Sequence, residues 1–262
     1  MEQISSKDNE KIKQLIKLQT SRKARRESGC FVAEGVRMAQ EALRCGLQIR
    51  RVFGTQDNAG KYAGIWEQLC QRAQEAYRIA GALEEKISQV QSPQGIYCVC
   101  EVPQVSQQDI LQQGERKLLA LDCLQDPGNL GTIIRTADAF GADGMILGEG
   151  CADCYSPKVL RSTMGSLFRL KIWTVPDLAA TLTALQQAGF CCYGAALDET
   201  ALQLGEFPFP KRCVAVIGNE GNGISPEVLS CCGHTLYIPM KGEAESLNAG
   251  VAASLILWEM CR

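Results

Sequence analysis

The sequence predicts an α/β protein in two parts: a smaller α/β domain over residues 1–105, a linker over 106–116, and a larger domain over 117–262 built on a mostly parallel sheet. Three observations carry this. Short apolar runs that read as buried strands alternate with helical patterns in both parts. The alternation breaks over residues 103–115, which hold five glutamines and little apolar periodicity, and restarts at Lys117. In the larger part, two strands end at glycine- or proline-bearing loops, and a helix start faces them. In α/β sheets, ligands sit beyond the carboxyl ends of strands.

In the first part, Ile12, Leu15, Ile16 and Gln19 recur at helical spacing, with Lys11, Lys13 and Lys17 mostly off that stripe. A basic stretch from Ser21 to Glu27 ends at Gly29. Residues 31–33 read as a strand, and 34–45 as a helix closed by Gly46 in the usual C-terminal glycine position. Residues 49–53 form a strand, 62–77 a helix, 83–90 a short helix and 96–102 a closing strand. In the second part, residues 118–121 form a buried strand. Asp126, Pro127 and Gly128 turn the chain into a helix over 129–140. Residues 144–147 and 172–175 read as strands, with helices over 157–165 and 178–188. Strands follow at 190–197, 214–217 and 236–238. The last meets Pro239 and Gly242, and Ser246, Leu247 and Asn248 open a small-residue helix over 249–260.

A chain of 262 residues, 46% hydrophobic and 21% charged, has the composition of a soluble globular protein with room for two domains. No apolar run reaches membrane-spanning length. The first twenty residues are polar and lysine-rich, without a secretory core, so a cytoplasmic location is expected. Fourteen cysteines read as small core residues of a reduced chain. Cys151 and Cys154 form a lone CxxC and His234 is the single histidine, so no four-ligand metal site is expected. That single histidine also argues against Ser-His-Asp hydrolysis. There is no GxxxxGK[ST] phosphate loop, and the run from Gly218 to Gly223 is not GxGxxG. Net charge is −2, yet residues 1–53 hold twelve Lys/Arg against six Asp/Glu. That imbalance marks either a phosphate-contacting surface or a solvated helix face.

Three runs carry a resemblance. GNEGNGIS (218–225), IPMKG (238–242) and ESLN (245–248) look like the second and third motifs of the SpoU/TrmH group of the SPOUT superfamily. DPGNLGTIIRTA (126–137) is similar to the first motif. The likeness continues through Tyr155 to Lys158, Met164 and Gly165, and reaches the first part through FVAEG (31–35). The group comprises RNA ribose 2′-O-methyltransferases that use S-adenosylmethionine, so the resemblance implies that activity and that cofactor, with no metal. It implies a larger domain with a deep trefoil knot and a smaller ribosomal-protein-like RNA-binding domain before it. It also implies a homodimer, for which the small residues from Ala249 to Ala253 suit close helix packing. Ribosomal RNA is the favoured substrate; transfer RNA, or RNA binding without catalysis, are the alternatives.

Residue by residue, Gly218, Ile238 and Leu247 match the positions whose backbone holds the adenosine part of the cofactor. Asn219 and Gly221 belong to the same loop, and Pro239 and Met240 shape the pocket wall. Arg135 matches the catalytic arginine. A guanidinium is effectively always protonated, so stabilising a nascent alkoxide suits it better than acting as a base. Asn129 and Glu220 match positions that orient Arg135 or the ribose. Ser246 and Asn248 match site-lining polar residues, and capping of the last helix is their other reading. Arg22, Lys23, Arg25, Arg26 and Arg37 are the candidate RNA contacts.

Overall fold

A computed structural model describes residues 1–244 and 246–262. Among these the chain divides into two compact units, Met1–Pro103 with Tyr155–Phe168, and Gln104–Cys154 with Arg169–Arg262.

The first unit holds strands β1 (Glu2–Ile4), β2 (Cys30–Glu34), β3 (Ile49–Thr55), β4 (Glu75–Ile79) and β5 (Ile96–Glu101), in the order β1-β4-β3-β5-β2. β5 runs antiparallel to β2 and β3, and the other pairs are parallel. Its helices include α1 (Glu10–Thr20), α2 (Arg22–Ser28), α3 (Val36–Arg44), α4 (Gln56–Lys61), α5 (Ala63–Arg72) and α6 (Glu84–Ile87). Ile12 and Leu15 of α1 bury against Cys30, Val32 and Phe53 of the sheet, the placement their helical spacing predicts. The helix expected over 62–77 stops early. α5 is capped at Ala73 in extended backbone, and β4 takes the remaining residues. Tyr77 and Ile79 alternate with more exposed neighbours there and pair with β3. That pairing is long-range, so a local helical pattern could not reveal it.

The second unit is a seven-stranded, all-parallel sheet: β6 (Arg116–Leu121), β7 (Gly144–Leu147), β8 (Ile172–Thr174), β9 (Cys191–Ala195), β10 (Leu202–Gln203), β11 (Arg212–Ile217) and β12 (His234–Tyr237). The order is β10-β12-β9-β11-β6-β7-β8. The helices of this unit are α7 (Gln107–Leu111), α8 (Pro127–Phe140), α10 (Leu178–Gln187), α11 (Pro226–Ser230) and α12 (Ala249–Cys261); α9 (Pro157–Thr163) belongs to the first unit. Leu118, Ala120, Val214 and Val216 of the central strands pack with Leu182 and Leu185 of α10. Continuous rather than alternating burial is the mark of a sheet covered on both faces. The stretch expected as a linker, 106–116, carries α7, fixed by a Ser106–Asp109 capping box and anchored by the buried Ile110. Cys151 and Cys154 are buried, and the Cys151 thiol donates to the Leu121 carbonyl. Burial pushes that thiol up to about 11, which suits a core residue.

Because β6, β9, β11 and β12 are neighbours and parallel, their carboxyl ends lie along one edge of the sheet. The loops after Leu121, Ala195, Ile217 and Tyr237 therefore converge, and α12 starts beside them.

Candidate active site

Three loops are locked together by side chains. Asp126 caps α8, accepting from the Asn129 amide at 2.7 Å, and Pro127 occupies the first turn. Glu220, two residues beyond Gly218 after β11, accepts from the amides of Asp126 (2.9 Å) and Gln125 (3.1 Å) and from the Asn129 side chain (3.0 Å). Asn129 in turn accepts from the side chain of Asn248 at 2.9 Å. Asn248 caps α12 with its oxygen, accepting from Gly250 and Val251. Capping and cross-linking are thus both done by Asn248. Partial burial opposes ionisation of Glu220, but the Asn129 and backbone donors outweigh it and hold the carboxyl below its usual value.

The Glu220 loop is itself held rigidly. Asn219 and Gly223 exchange backbone hydrogen bonds, and the Asn219 side chain donates to Cys123 and accepts from Gly221 and Asn222. Asp122, nearly buried at the end of β6, accepts from the Ser225 amide at 2.7 Å. Gly218 is buried so tightly that a β-carbon would overlap the backbone of Gly223 and Ile224. Glycine is required there by the loop's own packing.

On the other side of α12 lies a cleft of about 500 Å³. Ala195, Leu236, Ile238, Leu247, Ala252 and Ile256 supply much of its wall, and Met240 and Ser246 also line it. Leu197, Met240 and Leu247 are exposed. Among the described residues, the backbone groups of Ile238, Met240 and Leu247 form no hydrogen bonds, so they are free to meet a polar ligand edge. Volume and lining suit a nucleoside-sized ligand.

The expected site residues are not all brought to one place. Ile238, Met240, Ser246 and Leu247 line the cleft, whereas Gly218, Asn219, Gly221 and Pro239 do not. Asn129, Glu220 and Asn248 form the network. Arg135 is exposed on α8 and has no hydrogen-bond or ion-pair partner among the described residues. Gly250 and Ser254 of α12 face α8, Gly250 against Asn129 and Thr132, Ser254 against Thr136 at 3.1 Å. Ala252 and Ile256 face the cleft. Residues two apart on a helix point about 200° apart, so α12 stands between α8 and the cleft. Glu245, the first residue of ESLN, lies outside the described residues.

Ala195, Ala252, Ile256 and Asp122 were not expected from the sequence. Ala195 ends a strand next to β11 and β12, which the strand-end rule would have flagged had the strand order been known. Among the five expected RNA contacts, Arg25 is displaced. It is buried, and its guanidinium donates to the carbonyls of Leu18 and Gln19 at the end of α1. Arg25 follows the buried Ala24 on the inward side of this seven-residue helix, while Arg22, Lys23 and Arg26 point outward. Lys23 is exposed and pairs with Glu27 at 3.7 Å. Arg22, Arg26 and Arg37 are exposed and have no hydrogen-bond or ion-pair partner among the described residues.

Residues 116–258 match the SpoU rRNA Methylase family, and residues 9–98 match the MRM3-like substrate binding domain. The 23S rRNA (guanosine(2553)-2′-O)-methyltransferase RlmP of Bacillus subtilis (strain 168) is 34% identical over 263 residues, covering 99% of each chain. The 23S rRNA (uridine(2479)-2′-O)-methyltransferase of Streptomyces viridochromogenes is 33% identical, covering 97% of this chain and 90% of that one. Among solved structures, the AdoMet-bound rRNA methyltransferase from Sinorhizobium meliloti matches with a TM-score of 0.87 at 29% identity, covering 98% of this chain and 96% of that one. The SpoU methyltransferase AviRb from Streptomyces viridochromogenes, in complex with AdoMet, matches at 0.85 with 32% identity over 96% of each chain.

Proposed function

This chain belongs to the SpoU rRNA methylase family, and from that premise we propose that it methylates a ribose 2′-hydroxyl of ribosomal RNA with S-adenosylmethionine as donor. The observation that carries this reading is the hydrogen-bonded chain Glu220–Asn129–Asn248, which ties three separated motifs into one frame beside the cleft. The backbone of Ile238, Met240 and Leu247 would hold the polar edge of the adenosine, and Leu236, Ile256 and Leu247 would enclose its apolar part. Bound there, S-adenosylmethionine supplies an already activated methyl group. What remains for the protein is to hold the ribose in line and to favour negative charge on its oxygen. Arg135 takes the second task as a permanent cation. Glu220 and Asn129 fix the N-terminal turn of the helix that carries it.

The protein acts as a homodimer in this reading. Val251, Leu255 and Trp258 recur at helical spacing on α12 and are 47%, 40% and 54% exposed. Trp258 also meets Phe140 of α8 edge-on. A two-fold contact through this stripe buries it. Since α12 separates α8 from its own cleft, a second copy is the natural way for Arg135 to meet a bound cofactor. Net charge near zero and the basic N-terminal region agree with a cytoplasmic enzyme whose RNA contacts are concentrated in the first unit.

The test is to incubate the full chain with unmethylated large-subunit ribosomal RNA and methyl-labelled S-adenosylmethionine, then digest to nucleosides. Label on 2′-O-methylnucleosides is expected, with a dimer mass by sedimentation. Label confined to bases, or to transfer RNA offered in parallel, would overturn the substrate assignment.

A further inference from the structure

The segment Tyr155–Phe168 follows β7 in the sequence of the second unit but folds as part of the first. Phe31 of β2 holds it, with its ring 4.8 Å from Tyr155 and 5.6 Å from Phe168. Gly165 packs against the Glu41 side chain of α3 with no room for a β-carbon. Ser156 caps α9, and Val159, Leu160 and Thr163 are buried. One face of this short helix is therefore fixed to the unit that carries the match to a substrate-binding domain.

The opposite face carries Lys158 and Arg161. Both are exposed, and neither has a hydrogen-bond or ion-pair partner among the described residues. Three residues apart, they are neighbours on one helix face, at a separation that successive phosphates of one strand can meet. Met164, 40% exposed at a left-handed φ of 53°, ends the helix. The helix on the adjoining side of β2, α3, brings the exposed Arg37 into the same unit. Two like charges held side by side on an anchored helix gain nothing from the fold. They do gain from a polyanion. On a chain of net charge −2, such a pair is not a by-product of a basic composition.

We propose that the Lys158–Arg161 face of α9 is an RNA-binding surface of the first unit, contacting backbone phosphates. Residues encoded within the methyltransferase half thus serve substrate capture. The proposal rests on the RNA reading above, and the experiment keeps the two apart. Full-length wild type, Lys158→Ala/Arg161→Ala and Lys158→Glu/Arg161→Glu are titrated with in-vitro-transcribed large-subunit ribosomal RNA over a range of salt. Affinity for S-adenosylmethionine and melting temperature are measured alongside.

Loss of two phosphate contacts on single-stranded RNA lowers the slope of log affinity against log salt by about 1.4, or roughly 25-fold in affinity at about 0.1 M salt. That loss is expected in the alanine variant and a larger one in the glutamate variant, with cofactor affinity unchanged in both. Wild-type RNA affinity and salt slope in both variants would overturn the proposal and leave α9 to another acidic partner or none. A parallel fall in cofactor affinity or melting temperature in the alanine variant would overturn it too, by making the effect structural. Absence of RNA binding by the wild type would instead overturn the RNA reading itself.

Discussion

Along one face of α12 lies a largely apolar cleft where, among the described residues, the backbone groups of Ile238, Met240 and Leu247 form no hydrogen bonds; along the opposite face a chain of side-chain hydrogen bonds runs from Glu220 through Asn129 to Asn248. The two faces differ in what they can tolerate. The cleft depends on empty space, so its side chains can change if they do not grow. The network depends on particular donors and acceptors, so its members can change little even at constant size. Arg135 is carried on α8, on the network side of α12, and does not line the cleft; in the proposed reading, holding the cofactor and driving the reaction are therefore separate tasks.

The sharpest test of that separation is Arg135. Arg135→Ala should slow single-turnover methylation about 10²–10³-fold, the usual loss for one preorganised charge donor, while calorimetric S-adenosylmethionine affinity stays at wild-type level. Arg135→Lys keeps charge without the planar fork and should remain strongly impaired. A near-wild-type rate in folded Arg135→Ala would remove this residue from catalysis.

The converse perturbation fills the cleft and spares the network. Ala252→Trp should weaken S-adenosylmethionine binding about tenfold or more, roughly 1.4 kcal/mol, with wild-type RNA affinity. Unchanged cofactor affinity would place the ligand elsewhere. Gly218 is the wrong position for this experiment, because a side chain there collides with its own loop and disturbs both faces.

The smallest effect concerns Glu220→Gln, which keeps the shape of the network and removes its charge. Donors from Asn129, Gln125 and Asp126 hold the native carboxyl below its ordinary value of 4.5. The stabilisation is therefore complete above that value and fades as pH falls through the lowered native one. Wild type should exceed the variant by about 1 kcal/mol near neutrality, after allowance for solvent screening. The gap in melting temperature should close in acid below about pH 4.5. A gap that does not vary with pH would mean that the charge of Glu220 contributes nothing.

Much of this frame was legible in the residues. The turn at Asp126 to Gly128 announces a helix over 129–140, and the helix is there, starting two residues earlier at Pro127 and ending at Phe140. Asn248 reads as a cap and is one. Other features had no local signal. Glu75 to Tyr77 continue a passable helical pattern, and pairing with β3 and β1 makes them part of a strand. Arg25 sits among three exposed cationic neighbours and differs from them only in pointing at the end of α1. Residues 106–116 look polar because one buried isoleucine suffices to anchor a five-residue helix. Tyr155 to Phe168 stand between two strands of one sheet yet pack on Phe31, which lies more than a hundred residues away. A truncation at residue 105 would strip that segment of its partners, so the domain boundary read from composition is not a place to cut.

By itself the sequence determined the alternating α/β architecture, the strand-end loops and the motif residues, because periodicity, capping and turn chemistry act over a few residues and are written locally. Tertiary structure alone decided the strand order, and with it which loop ends converge. It decided that Gly218 has no room for a side chain within its own loop, that Ala195 and Ala252 line the cleft, that Glu220 reaches Asn129, and that α8, which carries Arg135, and the cleft fall on opposite sides of α12. Each of these is a pairing between residues far apart in the chain. Such pairings are selected by the packing of the whole unit, and no window of sequence contains both partners.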